Sequence, residues 1–518
     1  MPLQKLSPVS PLQTGEDNQK VHEFTGKFFG FFKKYWYFII IGLILALSLL
    51  FRFETYILDR QLWFDEIALA VNFFEHSGFF WVFHHLNHCQ VAPPLFLGCV
   101  KFLITVFGKS DMVFRFLPFL ASVLSVPVFY ILSKMLLKSK TAIIFANFLF
   151  AINFSLIFYG SEFKQYSSDV LIFMLTLLWL SKQNLQNIGF VRVLKYTLIF
   201  SILFLFSQPT IFLLFGFFIF NFLKNPKNLK NYLIPILPIA IAIFYKISMP
   251  HSLSTVMAEY WRFAFISPDT FIGILKENLN FFFLHIKCLK FLSPLILIGF
   301  IIFVLNKKTP IARILLLSFL GCILANILHF YPCVQRLILF TFPFVTIFIA
   351  ACFDFEFKSN KINKILLPSV IFFVFLFLML FQMGIICKER TNKALGLITV
   401  RDISLILKEN FNNNEDILII PSSNKIYYDY YSNVLDIDIN KNNIVAINDI
   451  KNLDTVLNKI DNKKSCWIFL TSDYTLEPSE AFVSKYLKSN SNIIVLYKIS
   501  FTALKHYPSS LYKIRFKG

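Results

Sequence analysis

The sequence predicts an all-α membrane domain of about eleven crossing helices, with further helices lying along its outer face, followed by a small α/β domain. Three observations carry this. The 518-residue chain is 56% hydrophobic and only 15% charged, with a mean hydropathy of +0.63. A soluble domain is about a quarter charged, so this chain lacks the polar surface to cover a soluble globule. Apolar runs long enough for about 30 Å of hydrocarbon recur through most of the chain. Past residue 390 the composition turns to Asn, Asp, Lys and Ser.

In chain order, residues 1–34 form a polar tail with Lys27, Lys33 and Lys34 close to the first apolar run. That run begins near Tyr35, and no small-residue cleavage site follows, so it is expected to stay as an anchor. The crossings fall near 36–52, 113–137, 142–159, 165–181, 191–206, 208–223, 231–248, 292–306, 311–330, 335–353 and 365–387. The run 93–107 differs: it is short, opens on Pro93-Pro94 and carries Lys101 in its middle. Those are marks of an interfacial segment rather than a crossing one.

Loop charge decides the orientation. If 93–107 does not cross, the N-terminal tail is cytoplasmic. So are the loops holding Lys134, Lys138 and Lys140; Lys182, Arg192 and Lys195; Lys224, Lys227 and Lys230; Lys307, Lys308 and Arg313; and Lys358, Lys361 and Lys364. Each is basic, as the positive-inside bias requires. A crossing at 93–107 would turn all of the later ones outward. The segments 53–112, 160–166, 249–291 and 329–336 are then expected outside an inner or plasma membrane, together with 391–518. In that last stretch, apolar clusters such as 416–420, 466–470 and 492–497 alternate with helix-like stretches such as 477–488, the pattern of a soluble α/β domain with its own core.

The formal charge of +20 is assigned to cytoplasmic loops against anionic lipid. No basic helix or aromatic-basic platform points to nucleic acid. The eight cysteines show no CxxC or Cys/His ligand spacing. No P-loop, GxGxxG, GxSxG or zinc-protease motif occurs, which argues against ATP-driven transport by this chain.

The polar residues that can carry chemistry gather in the expected outer segments. Asp65-Glu66 follows Trp63-Phe64 soon after the first run. Adjacent carboxylates there suit a general base or a divalent-cation site; they equally suit the first turn of a helix. His84, His85 and His88 lie close together, and His88 with Asp65 is a candidate metal set, against the alternative of histidines at a polar rim. The turn GSEFKQYSSDV brings Glu162, Lys164, Gln165, Tyr166 and Asp169 between two apolar runs, where charge is costly unless paired or facing a polar cavity. Late in the bundle, HFYPCVQR places Tyr331 in a Tyr-Pro turn and Arg336 at the head of a run. A guanidinium matches phosphate oxygens in pairs; it also snorkels at membrane rims. Arg115, after the Pro-Pro helix, has the same two readings.

Taken together, WFDE, VAPPLFL, RFLPFLASVLSVPVFY, SEFKQYSSDV and YP…R resemble the GT-C superfamily of membrane glycosyltransferases. Within it they resemble the branch of the protein O-mannosyltransferases, the aminoarabinose transferase of lipid A and the bacterial family-39-like proteins. The resemblance covers roughly 35–390. It implies a GT-C fold, with a sugar taken from a polyprenyl-phosphate carrier and moved to a lipid, glycan or protein acceptor on the outer side. It implies Asp65 as base or metal ligand with Glu66 beside it. It implies Glu162, Lys164 and Tyr166 beside the carrier phosphate, and Arg336 neutralising that phosphate. Tyr331 and Arg115 join the same carrier-binding set. Relatives often carry His directly before the Pro-Pro; Ala92 stands there in this chain, which weakens a metal role. No sugar-binding-like insertion of the protein O-mannosyltransferases is evident. The competing classes are a flippase or transporter for a lipid-linked glycan, and a glycan polymerase or ligase.

Overall fold

The computed structural model describes residues 14–78, 80–183, 189–224, 226, 233–248, 250–284, 287–306, 309–354, 384, 400–461, 464–471, 478–500 and 509–517. The expected crossing at 365–387 lies almost wholly outside them.

The chain opens on a long helix, α1 (Thr14–Ile57), and then turns into two short helices, α2 (Phe64–Ala70) and α3 (Asn72–Glu75). Next come α4 (Pro94–Phe107), with a proline at its start, and α5 (Asp111–Leu136). The 14 residues of α4 give a rod of about 21 Å. The run 142–159 is realised as two helices, α6 (Lys140–Ile152) and α7 (Phe154–Phe158), the bend there being 56°. Asn153 makes the bend: its Oδ1 caps the Leu156 N–H at 3.0 Å, and its amide donates to the Phe282 carbonyl at 3.0 Å.

The bundle continues through α8 (Tyr166–Leu180), α9 (Phe190–Phe206), α10 (Thr210–Lys224), α11 (Ile236–Ser248), α12 (His251–Tyr260), α13 (Phe271–Phe282), α14 (Ser293–Asn306), α15 (Pro310–Ile327) and α16 (Phe342–Ala351). Buried aliphatic and phenyl side chains of α8, α9, α10, α13, α14, α15 and α16 form one large core with α1, α5 and α6. The opposite faces stay apolar as well: Val191, Leu194, Leu198 and Ile202 on α9 are all exposed at helical spacing. A stripe of that kind needs a nonaqueous neighbour. Among the described residues, three helices (Tyr35–Ile57, Asp111–Leu136 and Pro310–Ile327) are long and apolar enough to cross a membrane alone, and the bent α6–α7 pair would be a fourth. The count of eleven unbroken crossings is therefore not reproduced. Several expected runs form helices of 10–17 residues.

The C-terminal domain is α/β. It contains α17 (Val400–Asn410), β1 (Asp416–Pro421), α18 (Lys425–Leu435), β2 (Ile444–Ile447), α19 (Leu453–Leu457), β3 (Ser465–Thr471), α20 (Pro478–Ser489), β4 (Ile493–Ser500) and β5 (Ser509–Phe516). The sheet order is β2-β1-β3-β5-β4, parallel through β2-β1-β3 and antiparallel through β3-β5-β4. Strand alternation gives it two faces. Ile419, Cys466, Ile468 and Leu470 pack with Leu453, Leu457, Val483 and Leu487. Leu418, Ile420, Trp467 and Phe469 face the other way, and share a core with α17, α18 and the outer-loop residues Leu62, Ile67, Phe96, Phe114 and Phe163. One face of this domain is thus continuous with the elements that build the site.

Candidate active site

The site begins with the first turn of α2. Glu66 stands at its third position, and its carboxylate accepts the Trp63 N–H at 3.2 Å, closing the N-terminus of a helix too short to be stable by itself. Glu66 is wholly buried. Its Oε1 accepts Arg115 Nε at 2.8 Å and the Phe163 N–H at 2.5 Å, and its Oε2 accepts Arg115 Nη2. Arg115, equally buried, also donates to the carbonyls of Arg60 and Gln61. One ion pair therefore fastens the loop before α2, helix α5 and the 160–165 turn to each other. The turn can lie this close because residue 160 is glycine: a Cβ there would meet Ser122 Oγ at 2.5 Å.

Fastening Phe163 sets the direction of Lys164. Its ammonium reaches Asp65 Oδ1 at 3.1 Å and donates to Gln90 Oε1 at 2.6 Å. Gln90 closes the triangle by donating its amide to Asp65 Oδ1 at 3.2 Å. Arg336 arrives from the far end of the sequence. Asn278 Oδ1 takes the Gln335 N–H at 2.7 Å where the backbone turns left-handed, with φ of 48°. The Arg336 guanidinium then meets Asp65 Oδ2 at 3.1 Å and lies over the rings of Trp63 (5.7 Å) and Tyr166 (5.9 Å). Asp65 is thus held between two cations, one on each oxygen. Lys164 is nearly sealed at 5% exposure, whereas Asp65 and Arg336 keep 19% and 18%, so the pair opens to the surroundings. Among the described residues the buried Arg336 Nε has no hydrogen-bond partner.

Burial opposes the charge on Asp65, but Lys164 and Arg336 outweigh it and hold the carboxyl below its ordinary range. Burial pushes the Lys164 ammonium down, against the pull of Asp65. Glu162 goes the other way. Burial, then the charge of Glu66, push it up to about 8 against Arg60, Arg115 and Arg336, and among the described residues its Oε2 has no hydrogen-bond partner. With Glu162 pushed toward its neutral form, the four bases Arg60, Arg115, Lys164 and Arg336 outnumber the remaining acids of the cluster, Asp65 and Glu66. That excess suits an anionic ligand.

The structure thus brings Asp65, Lys164, Tyr166 and Arg336 to one recess, with Glu66, Arg115 and Glu162 buried directly behind it. Tyr331 stands apart from the carboxylate. Its hydroxyl donates to the Leu337 carbonyl at 2.7 Å, and its ring meets Phe212 edge-on at 5.2 Å, so it shapes the turn that delivers Arg336. Asp169 accepts the hydroxyl of Ser207 at 2.7 Å. The expected metal set of Asp65 and His88 is not assembled. His88 has a positive φ and turns its Nε2 to Glu75 Oε1 at 3.1 Å, while Asp65 is ringed by cations that would repel a metal ion. His85 contacts the Ser248 carbonyl instead. Among the described residues no group of three or more His, Cys, Asp or Glu is placed to hold a metal. Sequence reasoning missed Gln90 and Arg60 as site residues. Arg60 lies over Phe158 at 4.3 Å and donates to Ser161 Oγ at 3.1 Å. Neither belongs to a spaced motif, and both are recognisable only from what they touch.

No family model matches the chain, and no curated protein matches it. Among solved structures it is similar to two crystal structures of ArnT from Cupriavidus metallidurans. One is bound to undecaprenyl phosphate, at 10% identity and a TM-score of 0.48, and the other is in the apo state, at 9% and 0.49. In both cases 91% of this chain and 97% of the other are covered.

Proposed function

We propose that this chain is a membrane glycosyltransferase that moves a sugar from a polyprenyl-phosphate donor to a lipid, glycan or protein acceptor at the outer face of an inner or plasma membrane. The observation that carries the reading is Asp65 held between Lys164 and Arg336. An acceptor hydroxyl needs a base as it attacks the anomeric carbon, and Asp65 is an ionised, half-open carboxylate. The departing lipid phosphate needs fixed cations in a water-poor site, and Lys164 and Arg336 are placed for that charge. Attack by the acceptor in one step inverts the anomeric centre.

In this reading Glu66 and Arg115 hold the recess in shape rather than touch substrate. Tyr166 and Trp63 flank the guanidinium, and Glu162 lies behind the phosphate position. The bundle spans residues 35–390 with the 1–34 tail cytoplasmic and 391–518 outside. A carrier that moves a lipid-linked glycan would spread its ionisable groups through the bilayer depth; among the described residues, the pairs Glu66–Arg115, Asp65–Lys164 and Asp65–Arg336 instead stand together around one recess.

The deciding experiment is a comparison of glycolipids and surface glycans, by mass spectrometry, between cells with the protein, cells without it and cells carrying Asp65→Asn. The reading expects one sugar residue missing in both deficient strains. It also expects the sugar-charged polyprenyl phosphate to accumulate on the outer leaflet. A full glycan complement in the Asp65→Asn strain would remove the assignment. Accumulation of the charged carrier on the cytoplasmic leaflet would favour a flippase.

A further inference from the structure

We infer that Cys322 and Cys333 are a site of covalent cross-linking: joined as a disulfide, they tie the last turns of α15 to the turn that delivers Arg336. Their sulfurs lie 3.5 Å apart, and a bond of about 2.05 Å needs only a small approach of the two. Cys322 sits on α15 five residues before its end, and Cys333 sits in the segment that follows.

The backbone around them is braced by hydrogen bonds. Asn326 donates to the carbonyls of Tyr331 at 3.0 Å and Ala264 at 2.9 Å. The Cys333 N–H donates to Ala264 O at 3.3 Å, and the Cys333 carbonyl accepts from Asn278 at 2.9 Å. Asn278 is the same residue that takes the Gln335 N–H. The cysteine, the left-handed residue and Arg336 therefore belong to one braced turn. The bond would add a covalent tie beside the Cys333 Sγ contact with the Cys322 carbonyl at 3.8 Å.

The chemistry balances by exchange. Cys333 is half-buried and Cys322 buried, so the Cys333 thiolate attacks the disulfide of an outer-compartment protein oxidant. Cys322 then displaces that oxidant from the mixed disulfide. Two thiols lose two protons and two electrons, and the oxidant leaves as a dithiol. Such oxidants operate outside the cytoplasm, so the cross-link rests on the outward orientation of this turn and not on the transferase reading.

The test uses the full chain in its own membranes. Cells are quenched in acid, thiols are alkylated in denaturant, and the protein is then reduced and alkylated with a second reagent. All but two of the eight cysteines should carry the first label, with Cys322 and Cys333 carrying the second. A Cys322–Cys333 linked peptide lighter by two hydrogens should appear before reduction. Reduction should lower the melting temperature of the wild type by several degrees and leave Cys322→Ala/Cys333→Ala unmoved. First-label modification of both residues overturns the inference, and so does a reductant effect on melting that persists in the double variant. Loss of glycan transfer with the link intact would bear on the function of the site alone.

Discussion

Arg401 of the α/β domain and Asp111 of α5 form an ion pair, and Asp111 stands one helical turn before Arg115. Asp111 is buried and also accepts the hydroxyls of Tyr430, at 2.7 Å, and Tyr431, at 3.2 Å. Arg401 reaches Asp59 at 2.7 Å as well, and Gln61 accepts the Val400 N–H at 2.8 Å. The C-terminal domain therefore grips two of the three segments that Arg115 and Glu66 fasten together behind Asp65, the loop before α2 and helix α5.

Breaking that grip should loosen the site from a distance. Arg401→Ala leaves the Asp111 carboxylate buried with two phenols and no cation, and removing one partner of a buried charge pair costs about 2–5 kcal/mol. The variant should melt at lower temperature and release the 400–517 region earlier on limited proteolysis. Arg401→Lys should recover part of the loss. Wild-type protease resistance in Arg401→Ala would show that the shared apolar core alone docks the domain.

Asp65→Asn separates binding from chemistry. In the wild type the carboxylate occupies both Lys164 and Arg336; without it the two cations are left facing each other. A phosphate then becomes their natural counter-ion. The variant should bind a polyprenyl phosphate at least as tightly as wild type while losing transfer altogether. The acid limb of wild-type activity should also lie below the ordinary carboxylate range, because the two cations hold Asp65 ionised there. Weaker carrier binding by Asp65→Asn, measured by lipid titration of the purified protein, would contradict this arrangement of charges.

Much of this site was legible in the sequence as residue types, and little as roles. WFDE, SEFKQYSSDV and the Tyr-Pro-to-Arg turn each contributed a side chain to the recess. Yet Asp65 and Glu66, read as a pair, part company because neighbouring helical residues point about 100° apart. One faces the recess and the other the core. Sequence spacing flagged His88 as a ligand, but its backbone turns left-handed and sends the imidazole to Glu75. Apolar run length predicted unbroken crossings where Asn153 bends one and a left-handed residue at 335 opens another as a 3-10 turn. The tie from Arg401 to Asp111 spans 290 positions, beyond any local pattern.

The buried Glu66–Arg115 pair should respond as structure, not chemistry. Arg115→Leu leaves a sealed carboxylate without its cation, and such a break costs about 3–5 kcal/mol. Folded yield and melting temperature should fall together. Replacing both residues with apolar ones of similar volume should recover more stability than either single change. A well-folded Arg115→Leu protein with weak carrier binding would instead place Arg115 on the phosphate.

Glu162 gives the site a pH signature of opposite sign to Asp65. Its folded pKa is raised from 4.5 to about 8, so the folded state holds a proton that the unfolded chain has already released. Its contribution to stability is intact below the unfolded value and is lost progressively as pH rises toward 8. Above that, the folded protein carries an ionised carboxylate against Glu66. Glu162→Gln stays neutral throughout. The gap in melting temperature between Glu162→Gln and wild type should therefore shift in favour of the variant as pH is raised from 4.5 to 8 and then level off. A gap independent of pH would mean that Glu162 is ionised in the folded protein across that whole range, held so by Arg60, Arg115 and Arg336.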